Sequence, residues 1–233
     1  MPDNTIGPCL EIESSRDFSQ VYPGASAGVL VLENVRIESH SVNLGSIKQK
    51  IVLDLQKEFP DLLTLNEHPV IKAYSSYYKK FRKSYHLIGQ IESVIYKNRP
   101  LPSGPAILET IFALELKNLL LTAIHDLDTL QFPLEIGISS GEEIYTTLRG
   151  IEQRLKPGDM ATRDQAGIIS SVIYGPDQRT CIRESTSRVL IVVYAPEGIG
   201  RETINNHFED IKRTTRSFAP QSIDILQEIY PKV

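Results

Sequence analysis

The spacing of apolar residues changes near residue 133, and this change restricts the chain to a fold that keeps helices and strands in separate segments. Before that point apolar residues recur every three or four positions, which predicts amphipathic helices. After it, Leu134, Ile136 and Ile138 alternate with other residues, and the apolar runs 168–174 and 188–195 predict strands. A last helical stripe follows at 202–216. This succession is typical of an α+β fold rather than of repeated βαβ units.

The first half of the chain predicts one buried strand at 29–37 and then helices. A helical stripe begins at Leu44 and ends before Pro60. Further helices are expected to begin at Pro69 and Pro105, since proline is common at the first position of a helix. A short helical turn is expected at 91–96. No linker rich in Pro, Gly or Ser divides the sequence, so we expect a single domain over residues 1–233. In it, 1–64 supply an N-terminal strand and helix, and 218–233 form a C-terminal tail.

Composition excludes several classes of protein. The two cysteines, Cys9 and Cys181, are far apart, which argues against a disulfide scaffold or a thiolate zinc site and suits the cytoplasm. No run approaches the roughly 20 apolar residues of a membrane span, and the first residues lack the features of a secretory signal. We therefore expect no membrane partner.

Motifs for nucleotide or metal chemistry are missing from the sequence. It contains no G-x-x-x-x-G-K phosphate loop, no dinucleotide fingerprint and no H-E-x-x-H pair. We therefore expect no cofactor and no metal ion. The segment Gly137-x-Ser139-x-Gly141 does match the G-x-S-x-G elbow of hydrolases. The residues after it look extended, so the helix that the elbow needs is missing, and a glycine-rich hairpin turn is the preferred interpretation.

The first candidate for chemistry is the segment 125–128, where His125 and Asp128 stand beside a second carboxylate, Asp126. A histidine next to carboxylates can act as a general base. The same residues suit a turn in which Asp126 and Asp128 cap backbone N–H groups. Spacing alone leaves both interpretations open.

A second candidate is a basic and aromatic stretch between Lys72 and Arg99, which holds seven basic residues and one acid in a chain of net charge −4. Four of them are close enough in sequence to meet successive phosphates: Lys79, Lys80, Arg82 and Lys83. Lys97 and Arg99 could add to such a surface. The alternative is a solvated helix face whose tyrosines belong to the core.

A third candidate is the turn that follows the strand at 168–174. Gly175 begins a Gly-Pro turn that can present backbone N–H groups to an oxyanion. Asp177 and Arg179 follow, and they could instead pair with each other across the turn.

An ordered series of motifs in this chain resembles the B3/B4 domain of the phenylalanyl-tRNA synthetase β subunit, in its free-standing form. The series covers residues 65 to 217 and comprises His68-Pro69-x-x-x-x-Tyr74-x-x-Tyr77-Tyr78, Leu101-Pro102, His125-x-x-Asp128, Gly141-Glu142, Gly158-Asp159-Met160, Asp164-x-x-Gly167, Val172-Ile-Tyr-Gly175 and Thr186-x-x-Val189-Leu190.

The resemblance implies a three-layer β/β/α sandwich of two sheets and a helical layer. It also implies kinship with a module that hydrolyses tyrosine wrongly attached to phenylalanine tRNA. The family's cleft maps onto His125 and the turn from Ser170 to Gly175, so the resemblance predicts a substrate pocket formed by Ser170, Ser171, Tyr174, Gly175, Asp177 and Arg179.

On this basis we expect a cytoplasmic domain that binds tRNA or aminoacyl-tRNA and hydrolyses a mischarged ester in trans. His125 would deprotonate the attacking water, and Asp128 would fix the tautomer of the His125 imidazole. Backbone N–H groups near Tyr174 and Gly175 would stabilise the oxyanion. The sequence departs from the family at Tyr174, which would narrow the pocket, and at Arg179, where an acid is expected. These departures favour the alternative, a non-catalytic module for an amino acid or another small metabolite.

Overall fold

The computed structural model of the chain describes residues 10–35 and 42–232. Its α-helices are α1 Arg16–Val21, α2 Val42–Glu58, α3 Leu62–Glu67, α4 Pro69–Lys80, α5 His86–Ile95, α6 Ala106–Asn118 and α7 Arg201–Phe218. Its strands are β1 Ile12–Ser14, β2 Ser26–Glu33, β3 Thr122–Asp126, β4 Leu134–Ile138, β5 Ile144–Thr146, β6 Glu152–Arg154, β7 Met160–Asp164, β8 Gly167–Ser171, β9 Gly175–Pro176, β10 Val189–Ala195 and β11 Ile223–Tyr230.

Most of these strands form two sheets. The four-stranded sheet has the order β11-β2-β10-β3 and is antiparallel throughout. The five-stranded sheet has the order β1-β4-β7-β8-β9, with β1 parallel to β4. β5 and β6 form a separate hairpin. Every residue of β10 is buried, which is why its sequence is continuously apolar rather than alternating.

The four-stranded sheet lies between a helical layer and the five-stranded sheet. On one face, Gly28 of β2 packs so closely against Ile204 and Phe208 of α7 that an added Cβ would lie 2.4 Å from Ile204. On the other face, the Tyr194 hydroxyl of β10 lies 2.7 Å from Thr162 Oγ1 and 2.7 Å from Ser170 Oγ, which belong to the five-stranded sheet. The expected α+β fold with two sheets and a helical layer is confirmed.

Helix α4 is anchored to the four-stranded sheet by one tyrosine hydroxyl. Pro69 is its first residue, as the sequence predicts, and His68 caps it through a hydrogen bond from the N–H of Val70. The buried Tyr74 hydroxyl donates to the carbonyl of Tyr194 and accepts from the N–H of Leu121 at 3.0 Å. It therefore joins α4 to the end of β10 and to the residue before β3.

The next turn of α4 is anchored to the five-stranded sheet in the same way. Tyr77 donates to Asp159 at 2.7 Å and accepts from the N–H of Met160, the first residue of β7, at 2.6 Å. Tyr78 donates to the carbonyl of Val172, just past β8, at 2.7 Å. The tyrosines of the His68-Pro69 motif thus attach α4 to both sheets.

Several elements differ from the sequence-based expectation. Strand β2 begins three residues earlier than predicted and ends at Glu33, while residues 36 and 37 of the predicted strand lie outside the described residues. The turn expected at 91–96 is the end of a ten-residue helix, α5. Residues 218–233, expected to be a tail, contain β11, which pairs with β2 at the edge of the four-stranded sheet. Within the described ranges, none of the helices has the length and apolar character that crossing a bilayer requires.

The contact at Gly28 gives a test of the helix-on-sheet packing. Gly28→Ala should lower the free energy of unfolding by about 1–3 kcal/mol, because the new methyl group has no space beneath α7. Gly89→Ala in α5, where an added Cβ meets nothing within 4 Å, is the matched control and should raise it by about 0.5–1 kcal/mol. Urea unfolding measures both; equal stability of Gly28→Ala and the parent would contradict the packing described.

Candidate functional site

His125 lies in the core, on β3. Its side chain has no exposed surface, and its Nδ1 lies 2.7 Å from Thr180 Oγ1. The Thr180 hydroxyl donates its single proton to Asp177, so Nδ1 must carry a proton and donate to Thr180. The other nitrogen, Nε2, is buried without a partner among residues 10–35 and 42–232. Desolvation, and then the positive charge of Arg179, lower the pKa of His125 to about 3, so the imidazole is neutral.

Asp128 does not pair with His125, so the expected orientation of His125 by Asp128 is wrong. Asp128 Oδ1 accepts from Arg188 Nη1 at 2.9 Å near the surface. Asp126 caps the N–H of Asp128 and accepts from Thr186 Oγ1 at 2.6 Å. Of the two interpretations of this segment, the structure shows the capped turn for Asp126. Thr180 and Asp177 are the residues that hold the imidazole of His125.

Asp177 and Arg179 continue the polar chain that begins at His125, and Arg179 is its partly exposed end. Asp177 is buried and accepts from the N–H and hydroxyl of Thr180. Arg179 Nη2 donates to Asp164 Oδ1 at 2.8 Å, and Arg179 Nε lies 3.7 Å from Asp177 Oδ2. Both side chains are committed to protein partners, and neither lines the cleft described next.

The predicted turn divides between the core and the surface. Ser170 is fully buried beneath Tyr194, and Ser171 Oγ accepts the N–H of Tyr174 at 3.0 Å. The Tyr174 N–H is therefore not free to stabilise an oxyanion, which corrects that part of the expected mechanism. Tyr174 and Gly175 themselves line an open cleft.

This cleft has a volume of about 650 Å³, within the range of small-molecule sites. Its walls come from four places: the end of α4 and start of α5, the residues joining α6 to β3, the β5–β6 hairpin, and the turn after β8. Its lining includes Tyr78, Lys83, His86, Gln90, Glu115, Thr122, Leu148, Arg149, Ile151, Tyr174 and Gly175. His125 is not part of this lining, so the expectation that it shares the pocket with the turn is wrong.

Glu115 is the buried acid of the cleft. It lies on α6, is 8% exposed, and its Oε1 accepts the N–H of Thr122 at 3.0 Å. Desolvation raises its pKa to about 8, so the carboxyl group is neutral at pH 7 and can donate a hydrogen bond. Glu115 is not among the site residues predicted from the sequence, although it continues the i, i+4 spacing of Ile107 and Ile111 on the apolar face of the helix. A carboxyl group on the buried, apolar face of a helix is unusual, and this could have marked Glu115 as a candidate from the sequence alone.

His86 is the imidazole that faces the cleft. Its Nδ1 lies 3.3 Å from the Tyr78 hydroxyl, which already donates its only proton to Val172. Nδ1 therefore carries the proton, and Nε2 keeps its lone pair. Desolvation lowers the pKa of His86, so this neutral and basic form predominates at pH 7.

The four basic residues predicted to meet phosphates are exposed at the end of α4 and in the turn after it. Lys80 Nζ lies 4.6 Å from the centre of the Tyr22 ring, and Lys83 Nζ lies 5.6 Å from that of Tyr174. We call the set the basic patch: Lys79, Lys80, Arg82 and Lys83. None of them has an acidic partner within the described part of the chain, whereas Lys72 and Lys97 pair with Glu67 and Glu92.

The Gly137-x-Ser139-x-Gly141 segment is a capped turn, but the expected hairpin is wrong, because β4 before it pairs with β7 and β5 after it pairs with β6. The Ser139 hydroxyl donates to Glu143 Oε2 at 2.7 Å, and the N–H groups of Ser140 and Gly141 also bind Glu143. Desolvation opposes ionisation of Glu143, but the hydrogen bonds from Ser139 and Ser140 outweigh it and lower its pKa to about 2. Strand β5 follows instead of a helix.

Comparison with known proteins gives a likeness of fold. No protein-family model and no curated protein matches the sequence. Among solved structures, the chain is similar to an N-terminal fragment of the phenylalanyl-tRNA synthetase β subunit from Pyrococcus horikoshii, with a TM-score of 0.50 and 10% sequence identity. The match covers 96% of this chain and 55% of that fragment. The two proteins share a fold, and the chain spans about half the length of the fragment.

The burial of Glu115 predicts that stability depends on pH. The folded state raises this pKa from 4.5 to about 8, so it binds the proton more tightly than the unfolded chain does. Stability is therefore lost as pH rises from about 4.5 to about 8, by on the order of 3–5 kcal/mol. Glu115→Gln cannot ionise and should remove most of this loss.

Urea unfolding of parent and variant at pH 5 and pH 9 measures the difference. Glu184→Gln, which changes an exposed carboxylate, is the control and should follow the parent. If Glu115→Gln loses as much stability between the two pH values as the parent does, Glu115 is not the group responsible.

Proposed function

We propose that this chain is a domain related to the phenylalanyl-tRNA synthetase β subunit that binds aminoacylated tRNA. The fold likeness over 96% of the chain carries the proposal. In it, the basic patch meets the RNA backbone, and the cleft lined by Tyr174 and Gly175 receives the aminoacyl end.

The charge distribution supports contact of the RNA backbone with the basic patch. The chain has a net charge of −4, so affinity for RNA must come from a local surface. The basic patch is exposed, lacks acidic partners in the described residues, and reaches the cleft through Lys83. Phosphate contacts of this kind give affinity without sequence choice.

The reaction that we propose in the cleft is hydrolysis of the aminoacyl ester. The Nε2 of His86 takes a proton from water while the water oxygen attacks the ester carbonyl carbon. The bond from that carbon to the ribose oxygen then breaks, and the ribose oxygen takes the proton back from His86. The products are a free amino acid and a free tRNA. In this mechanism the general base is His86 and not His125, which is fully buried.

Salt dependence tests the RNA contact. Four phosphate contacts predict that log affinity falls with log salt with a slope of about −3. Replacing Lys79, Lys80 and Lys83 together by Glu should flatten the slope to about −1 and weaken binding to all tRNAs alike. The measurement is a tRNA titration at several salt concentrations.

A triple variant of matched charge provides the control for this titration. Arg16, Lys50 and Lys57 are exposed cations outside the basic patch, and their replacement by Glu should leave the slope near that of the parent. If the parent fails to bind tRNA even at low salt, the RNA-binding proposal is wrong and a small-molecule module becomes the favoured function.

Deacylation of phenylalanine tRNA charged with tyrosine tests the reaction. His86→Ala should abolish release of the amino acid, since the general base typically contributes about 10²–10⁴-fold. It should keep the affinity for tRNA, because His86 is not in the basic patch. Release at the parent's rate by His86→Ala would exclude His86 as the base, and a parent that binds without releasing the amino acid is a binding module.

A further inference from the structure

The cleft described above has a floor and a rim of opposite chemical character. The floor holds Glu115, whose carboxyl group is almost fully buried and has a single hydrogen bond from the N–H of Thr122 among the contacts of the described residues. The rim holds cations and apolar side chains. A ligand that satisfies both must carry a different group at each end.

Two side chains of the cleft lining offer hydrogen-bond acceptors to a ligand. Glu115 offers carboxyl oxygens, and Gln90, one turn after His86 on α5, has a buried Oε1 with no donor among residues 10–35 and 42–232. A buried acceptor without a donor costs about 1–3 kcal/mol. An ammonium group, which has three N–H donors and no acceptor, is the complement of such a floor.

The rim presents groups that suit a phosphorylated nucleoside. Lys83 and Arg149 are exposed residues of the cleft lining on two different walls, the α4–α5 turn and the β5–β6 hairpin, and neither has an ion-pair partner among the described residues. Beside Arg149, Leu148 is 52% exposed and Ile151 is 59% exposed. These two side chains give the hairpin an exposed apolar surface against which a nucleobase can pack.

We propose that the cleft has two subsites: Glu115 binds the free α-ammonium group of an aminoacylated nucleotide, and Lys83 with Arg149 binds its phosphate. The assignment rests on the proposed function, which supplies the ligand class, and it adds which groups of the ligand are recognised. An N-acylated amino acid lacks the ammonium group and is excluded from the floor.

Proton release follows from this pairing. A neutral Glu115 must lose its proton when an ammonium group binds beside it. The titratable or charged groups that face this region from neighbouring elements are Tyr74 and Tyr78 on α4, Lys83 and Tyr85 after it, His86 on α5, Arg149 on the hairpin and Tyr174 after β8. The tyrosines have raised pKa values and keep their protons near pH 6, so proton release that is lost in Glu115→Gln is assigned to Glu115.

Puromycin monophosphate is a suitable probe because it is an aminoacylated nucleotide with a stable amide bond. Titration calorimetry at pH 6 in two buffers of different ionisation enthalpy should show that the parent releases about one proton more per ligand bound than Glu115→Gln does, since protons lost by the ligand phosphate are common to both. Glu115→Gln should also bind about tenfold more weakly. N-acetylation of the probe should weaken its binding to the parent about tenfold and leave its binding to Glu115→Gln nearly unchanged.

The phosphate subsite has its own pair of probes. Lys83→Glu with Arg149→Glu should weaken puromycin monophosphate about tenfold and leave unphosphorylated puromycin nearly unaffected. Arg16→Glu with Lys57→Glu, which changes two exposed cations outside both the basic patch and the cleft lining, is the control of matched charge and should bind both probes as the parent does.

Three results would overturn the assignment. They are failure of the parent to bind puromycin monophosphate, equal proton release by the parent and by Glu115→Gln, and an equal effect of N-acetylation on these two proteins. If the parent binds tRNA but not the probe, the two subsites are contradicted, whereas RNA binding by the basic patch is not. A parent that binds the probe as expected but no tRNA supports the subsites and contradicts the RNA part of the proposed function.

Discussion

The hydrogen bonds of the α4 tyrosines are the constraint on which the arrangement of layers depends. Three consecutive inward-facing hydroxyls, those of Tyr74, Tyr77 and Tyr78, meet backbone groups at the ends of strands in both sheets. A strand end exposes carbonyl and N–H groups that the ladder does not satisfy, and burial of such groups is costly unless they find partners. The helix supplies those partners and so fixes the distance and angle between the sheets.

The same attachment shapes the cleft. Tyr78 binds Val172 at the base of the turn that carries Tyr174 and Gly175, and it also orients the ring of His86. One phenolic hydroxyl therefore couples the position of one wall of the cleft to the tautomer of the imidazole on the facing wall. The residues that resemble the family's H-x-F-D motif play a different part here, since His125 is held in the core by Thr180 and Asp177.

The sequence predicted the class of fold but not the composition of the cleft. The change of apolar spacing near residue 133 identifies the helices and strands because burial of one face dictates the period. It could not find β11, whose residues Ile223 and Ile225 are about half exposed, so that the strand lacks an alternating pattern. From the sequence, Glu115 is one more residue of a helical stripe. The hydrogen bond that holds the buried His125 is made with Thr180, which is 55 residues away in the chain. Such contacts over long sequence separations are set by the tertiary fold and leave no periodic trace.

Lys83 belongs both to the basic patch and to the rim of the cleft, and this double position has an energetic consequence. In the proposed function, an RNA whose backbone lies on the patch brings its own end to the cleft, so the second contact is made within one molecule at a high effective concentration. A free aminoacylated nucleotide uses Lys83 but gains nothing from Lys79, Lys80 or Arg82. Under that proposal, the chain prefers a long nucleic acid over small metabolites with the same terminal group, without any contact that distinguishes the two within the cleft itself.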